Sequence, residues 1–343
     1  MCSGLRDKGQ SRVRRVKADM LTSKHILEPI TITQIEQASA RIRGSVLRTP
    51  IVRLNIDSDM EIYLKLENLQ PTGSFKVRGA SNAIMLAGPE AKSRGIYTCS
   101  AGNMAQALAS QAKQNGISCS AIVPDNAPET KLEAIKRFGA KIIQVSFDEV
   151  WKVVTTHRYG PLDKSIFIHP FSDPRMIAGN GTIGLEILED IPEVNSVVVP
   201  FGGGGLTAGI ATAIHERKPG TRVYAVEPET AAPLAASLSS GSAMEVNRVP
   251  SFVDGIGGKS VLPEMWDIVR PLIQGSIVCP LKEIASAIRL LVERNRIVAE
   301  GGGAASVAAA LTGKAGKGKI VCVVSGGNID TAKLETILSG KVP

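Results

Sequence analysis

Aromatic side chains are rare in this sequence, at 4% of residues, whereas glycine occurs 34 times. That balance argues against a β-sandwich and for an α/β protein rich in small residues and tight turns. No apolar run approaches the roughly 20 residues that a membrane-spanning helix needs. Cysteine is sparse and unpatterned: Cys2, Cys99, Cys119, Cys279 and Cys322 are odd in number and widely spaced, with no Cys-x-x-Cys pair. Neither a zinc site nor a disulfide framework is indicated. Cys119 and Cys322 sit inside apolar strand-like runs as small core residues, and a reducing cytoplasm suits them. The N-terminus lacks the apolar stretch of a secretory signal. No internal repeat or low-complexity tract stands out beyond clusters of glycine.

What is present points to a sizeable core. The 343 residues are 43% hydrophobic, enough for two domains or one large α/β unit with two lobes, and too apolar for disorder. The net charge of +8 is concentrated near the start, where Arg6, Lys8, Arg12, Arg14, Arg15, Lys17 and Lys24 face only Asp7 and Asp19. The remainder is nearly balanced, so no nucleic-acid-binding body is expected. Residues 1–25 read as a basic, flexible extension.

A strand and helix rhythm runs through the body. Thr31 to Arg43 has helical periodicity, with Thr31 or Thr33 as cap. Pro50 to Leu54 and Glu61 to Leu66 read as strands. Gly95–Cys99, Asn103–Asn115, Ser118–Val123, Pro128–Phe138 and Lys141–Val145 alternate strand and helix as βαβαβ, a small parallel-sheet lobe. The second half repeats the rhythm. It has a helix over Asn180–Asp190, strands at Ser196–Pro200, Arg222–Val226 and Lys319–Val324, and helices over Leu206–Arg217, Pro280–Glu293 and Gly303–Leu311.

Four loops at strand ends or turns fall where open parallel sheets bind ligands. The first, Ser74-Phe75-Lys76-Val77-Arg78-Gly79-Ala80, puts a lysine in the first turn of a helix, an unfavourable place for a cation. Burial beside Phe75 would lower its pKa and suit a Schiff-base lysine; a solvated surface lysine is the plainer alternative. The second, Ser100-Ala101-Gly102-Asn103-Met104-Ala105-Gln106, leaves amides free for a carboxylate, or is an ordinary capped helix start. The third, Gly202-Gly203-Gly204-Gly205, joins a buried strand to a helix. Four glycines cost more chain entropy than a turn requires, and converging amides at a helix start favour phosphate. The fourth, Ser325-Gly326-Gly327-Asn328, offers a hydroxyl at a strand end.

Two other patterns compete. Gly203 to Ala208 matches G-x-G-x-x-A with Glu227 ending the next strand, as in a dinucleotide site of an oxidoreductase. That reading leaves Lys76 and Asn103 unused. Gly258-Lys259-Ser260 looks like the tail of a P-loop, but its leading glycine would fall on Val253.

Together, and in this order, the four loops resemble the fold type II pyridoxal-phosphate enzymes, closest to the serine/threonine dehydratases (ammonia-lyases) with serine racemase alongside. Glu67 to Gly73, Val123 to Lys131 and Phe252 to Gly258 support the resemblance, which spans about residues 30–330. It implies an α/β fold of the tryptophan synthase β type, with two lobes that each hold a mostly parallel sheet flanked by helices. Residues 26–91 and 166–343 would form the large cofactor-binding lobe and 92–165 a small mobile lobe. Lys76 would carry pyridoxal 5'-phosphate, Phe75 pack on its ring, Asn103 bond the ring hydroxyl and Ser325 the ring nitrogen. Gly202, Gly203, Gly204, Gly205 and Leu206 would cup the phosphate. Glu300 would lie near the cofactor or cap the helix that follows. Ser100, Ala101, Gly102, Asn103 and Met104 would receive the substrate carboxylate.

The implied reaction is β-elimination of L-threonine or L-serine to a 2-oxo acid and ammonia. Serine racemase, a dehydratase for 3-hydroxyaspartate or phenylserine, and a β-replacing synthase are alternatives. Racemases of the family have a second serine where Ala101 stands, which favours dehydration. Many relatives have histidine at Met104, so this edge of the pocket is expected to be more apolar. Relatives with a divalent cation use a glutamate, a carbonyl and an aspartate; Glu227 and Ala231 match, but Pro233 takes the aspartate's place, so no metal is expected. The family also implies a homodimer or homotetramer acting in the cytoplasm on a small amino acid. No regulatory appendage reads after about Asp330, so end-product feedback is not expected.

Overall fold

In the computed structural model the described residues are 26–343 and the backbone of Arg14–Arg15. The expectation of a flexible extension over residues 1–25 falls outside them apart from that pair. The strands are β1 (Arg14–Arg15), β2 (Ile51–Arg53), β3 (Glu61–Lys65), β4 (Ile96–Cys99), β5 (Cys119–Pro124), β6 (Lys141–Val145), β7 (Ile166–Phe167), β8 (Ser196–Pro200), β9 (Arg222–Pro228), β10 (Met244–Glu245), β11 (Gly275–Cys279) and β12 (Lys319–Val323). The helices are α1 (Ile32–Arg41), α2 (Lys76–Arg94), α3 (Asn103–Gln114), α4 (Glu129–Arg137), α5 (Phe147–Thr156), α6 (Pro174–Asp190), α7 (Gly205–Arg217), α8 (Pro233–Ser240), α9 (Pro263–Val269), α10 (Leu281–Leu290), α11 (Gly301–Leu311) and α12 (Thr331–Leu338). No helix among the described residues is long and apolar enough to cross a membrane.

Two sheets organise these elements. The larger has the order β11-β9-β8-β12-β3-β2, parallel except for β2, and the smaller β6-β5-β4-β7 is parallel throughout. Parallel strands are covered by helices on both faces and so read as continuous apolar runs. Val197, Val198 and Val199 of β8 and Val321, Cys322 and Val323 of β12 are all fully buried. These two central strands are neighbours, and both run into glycine-rich loops.

Most expected elements are in place, with differences that have local causes. Thr31 caps α1 through a reciprocal pair with Gln34. The helix expected from Asn180 begins at Pro174 instead, because the Asp173 side chain accepts from the Arg175 amide at 2.9 Å and proline suits the first turn. Sequence periodicity did not reveal β7, which has only two residues; it pairs Ile166 and Phe167 with Ile96 and Tyr97. The smaller sheet therefore runs just past the boundary expected at residue 165. Helix α6 threads between α2 and α7 by shedding side chains. A Cβ on Gly179 would lie 2.6 Å from the Arg78 carbonyl oxygen, and one on Gly209 2.4 Å from that of Ile177.

Next to this crossing lies a buried set of four charges. Arg78, in the first turn of α2, is fully buried. Its Nε and Nη2 donate to the two oxygens of Glu67, both at 2.8 Å, and Nη1 donates to Glu186 Oε1 at 2.7 Å. Lys65 Nζ donates to Glu186 Oε2 at 2.5 Å and to the Thr49 carbonyl at 2.6 Å. Thr49 and Gln70 complete the shell of Glu67. Burial alone would raise the Glu67 pKa, but the charge and hydrogen bonds of Arg78 outweigh it and hold the carboxyl below its ordinary value.

Removing one member of such a set leaves a buried charge without its partner. Glu67→Gln is therefore expected to cost about 3 kcal/mol of stability or more, measured by denaturant unfolding at pH 7. Because the folded pKa is depressed, the contribution of Glu67 is present above its unfolded value and is lost as pH falls through the folded one. The gap between wild type and variant should narrow in acid, and a gap independent of pH would count against the assignment.

Candidate active site

Backbone bonds lace the lysine turn to the end of β12. Phe75 N donates to the Ser325 carbonyl at 3.0 Å, and Gly327 N to that of Gly73 at 2.9 Å. Asn103, the first residue of α3, brings the second loop to the same place. Its Nδ2 donates to Glu300 Oε1 at 2.8 Å, and its Oδ1 accepts from Asn328 Nδ2 at 2.8 Å. The tetraglycine loop meets Lys76 through a segment that the sequence did not single out. Lys76 Nζ donates to the Pro170 carbonyl at 2.5 Å. The ring of Phe171 would lie 2.2 Å from a Cβ on Gly203, and its carbonyl oxygen 2.5 Å from one on Gly205. Gly255 links the far side, since an added Cβ there would sit 3.1 Å from Glu300 Oε1. All four loops thus converge.

Pro170 and Phe171 are held by His169. Its Nδ1 accepts from the amides of Phe171 and Ser172 at 3.2 and 2.7 Å. With two donors on Nδ1, the ring proton belongs on Nε2, which faces the Val154 carbonyl at 3.1 Å. A motif search passes over these residues because their work is done by backbone atoms and an apolar ring.

The polarity of the cleft has two parts. Lys76 is half-buried, and desolvation of its amine lowers the pKa to about 8; the Phe75 ring lies 5.1 Å from Nζ. The surface-lysine alternative therefore fails. Burial raises Glu300 to about 7, against the hydrogen bond from Asn103. Glu300 occupies the cap position of α11, but its side chain makes no capping bond and accepts from Asn103 instead. The other component is unpaired backbone. Among the described residues, the amides of Gly202 through Thr207, of Asn103 to Ala105 and of Gly301 to Gly303 have no protein acceptor. These are the first turns of α7, α3 and α11, where partial positive charge gathers.

A phosphate monoester with an aldehyde fits this arrangement. Six successive amides at the glycine loop match phosphate, the desolvated amine matches the aldehyde, and the Ser325 hydroxyl, near-buried, has no hydrogen-bond partner among the described residues. Asn103 is already engaged at both ends of its amide. Phe75 packs with Val199, Leu206 and Val323 in the core. Ser100 accepts from Gly102 N at 3.1 Å, and Ala101 and Gly102 complete the turn before α3.

Two expectations are corrected. The Met104 side chain is 2% exposed and packs with Val77, Ala80 and Leu108, so it forms no apolar edge of the cleft; only its amide faces outward from the helix start. Glu227 is not placed to read a ribose. It is fully buried, and its two oxygens accept from Leu234 N and Ala235 N at 2.8 Å each and from Ser276 Oγ at 2.7 Å. That removes the acid on which the dinucleotide reading depended. Among the described residues no group of three or more His, Cys, Asp or Glu could hold a metal.

Comparison with known proteins gives the same direction. Residues 42–326 match the model for "Pyridoxal-phosphate dependent enzyme". The chain is 40% identical over 316 residues to the L-threonine ammonia-lyase of Thermotoga maritima, covering 90% of this chain and 78% of that protein. It is 37% identical to the catabolic L-threonine dehydratase of Escherichia coli K12, covering 90% and 96%. The structure of maize serine racemase superposes with a TM-score of 0.82 at 33% identity, covering 91% of this chain and 98% of that one.

Substituting Gly205→Ala should push a methyl into the Phe171 carbonyl and distort the glycine loop. Affinity for pyridoxal phosphate, titrated by visible absorbance, is expected to fall by about tenfold or more. Unchanged affinity would show that the loop does not hold the phosphate.

Proposed function

Since this chain belongs to the pyridoxal-phosphate dependent enzymes, we propose that it deaminates a β-hydroxy amino acid, L-threonine first and L-serine second, by eliminating water that hydrolysis of the released product returns, so that the net products are a 2-oxo acid and ammonia. The observation that carries the reading is the desolvated Lys76 amine on the Pro170 carbonyl, next to the Phe171 that packs against the glycine loop with its unpaired amides. The relatives named for threonine ammonia-lyase and dehydratase activity support the substrate class.

Each residue then has a physical task. Pyridoxal phosphate, when bound, supplies an electron sink for the pair left at Cα. Lys76 would hold the cofactor, and its amine, whose pKa desolvation lowers, would serve as the base for the Cα proton. Gly202 through Leu206 hold the phosphate. The amides of Asn103 to Ala105 bind the substrate carboxylate at the start of α3. Ser325 would offer the ring nitrogen a neutral hydroxyl, which unlike a carboxylate need not keep that nitrogen protonated. Glu300 holds a proton up to about pH 7, and Asn103 orients it. Elimination needs one proton-transfer face only. Ala101 brings no hydroxyl to the other, which separates this reading from racemisation.

The small unit, residues 92–165, closes over the substrate and excludes water. A homodimer or homotetramer acting in the cytoplasm belongs to the same proposal. The four buried free thiols Cys99, Cys119, Cys279 and Cys322 support a reducing compartment.

The holoenzyme offered a panel of β-hydroxy amino acids should release 2-oxo acid and ammonia stoichiometrically. Borohydride should fix the cofactor to the peptide carrying Lys76, and Lys76→Ala should lower kcat by at least about a thousandfold. A protein that remains colourless with pyridoxal phosphate, or that inverts serine without releasing ammonia, would refute the assignment.

A further inference from the structure

The loop between β10 and α9 carries Asp254, which gathers charges from two other parts of the fold. Lys131 Nζ of α4 donates to Asp254 Oδ2 at 2.8 Å, and Lys333 Nζ of α12 lies 3.5 Å from the same oxygen. Helix α4 stands between β5 and β6 of the four-stranded sheet. Asp254 sits on the other side of the cleft. The next residue, Gly255, approaches Glu300, and the Gly255 carbonyl and Ile256 approach Gly202 of the glycine loop. The ion pair therefore spans the mouth between the two sheet units. Asn103 makes the inner crossing to Glu300 and Asn328.

Two further facts place the pair at the rim of the cleft. Both charges are felt at Glu300, Asp254 raising and Lys131 lowering its proton affinity, after burial and the Asn103 bond. The lysine and aspartate side chains keep 33% and 35% of their exposure. A half-solvated pair contributes little as a static support, but it can break and re-form at low cost. That suits a contact which must open once per turnover.

We propose that the Lys131–Asp254 pair is the latch that holds the four-stranded unit closed over a bound amino acid, making both residues positioning residues for the proposed elimination, on which this inference rests. Lys333 retains Asp254 near the rim when the latch opens. The latch acts on residence of the substrate rather than on proton transfer, so its loss appears in KM and not in kcat.

The test uses the holoenzyme with Lys131→Met, Asp254→Asn and the double variant. Each single change should raise KM for L-threonine about two- to fivefold with kcat within about twofold, and the double should be no worse than either single. Unchanged KM, or increases that multiply in the double variant, would overturn the latch. Added salt should raise the wild-type KM toward that of the variants. A second readout needs no turnover: hydrogen exchange in residues 129–137 and 252–258 should quicken in Asp254→Asn while α7 stays protected, and equal exchange in both proteins overturns the proposal. Wild-type protein that releases no ammonia from any β-hydroxy amino acid would remove the functional reading, and the exchange comparison would still decide the latch.

Discussion

Arg78 and the two carboxylates it grips hold the lysine in place. The guanidinium lies two residues after Lys76 and binds Glu67 on the turn ahead of the helix and Glu186 on α6. Lys65 balances the second carboxylate from β3. Two cations and two anions cancel, so the set can be buried without net charge. It need not be stabilising relative to apolar residues of the same shape. Its geometry, however, is directional: five planar donors accept only one arrangement of β3, the turn, α2 and α6. The first turn of α2 has little freedom left, and the amine of Lys76 is delivered against Pro170 and the glycine loop.

The same architecture sets the electrostatics of the cleft. Helices α2, α3, α7 and α11 all begin at its wall, and each brings unpaired amides. Positive potential from several helix starts disfavours a protonated amine and favours anions. A phosphate and a carboxylate are the natural guests, and a desolvated amine is the natural host for a carbonyl. Glu300 is the exception inside this field. It is buried deeply enough to keep its proton near neutrality, so it enters the cleft as a donor and an acceptor together. The absence of side chains on Gly203 and Gly205 belongs to this design, since Phe171 occupies the space where Cβ atoms would be.

Legibility along the chain depended on how local each cause was. Parallel strands such as Ser196–Pro200 and Lys319–Val323 are apolar runs closed by glycine, and a window of a few residues shows them. The helix start at Pro174 was missed because it depends on a cap by Asp173, in a stretch with no apolar periodicity of its own. Met104 was misplaced because its direction follows from the way α3 meets the Val77 and Leu108 side of the core. Glu227 looked like a metal or ribose ligand until α8 was seen to begin on it. Pro170, Phe171 and His169 stayed hidden, since backbone carbonyls and ring packing leave no motif.

Residue order alone settled the class of fold, the four loops and the type of chemistry. Strand periodicity, glycine at phosphate-sized turns and a lysine at a helix start are local signals that do not wait for the chain to fold. Tertiary structure decided which atoms meet. The desolvation of Lys76, the proton on Glu300, the closure of Glu227 and the junction of α4 with Asp254 all arise between residues far apart in the chain. Burial and Coulomb energy depend on distances that only packing creates.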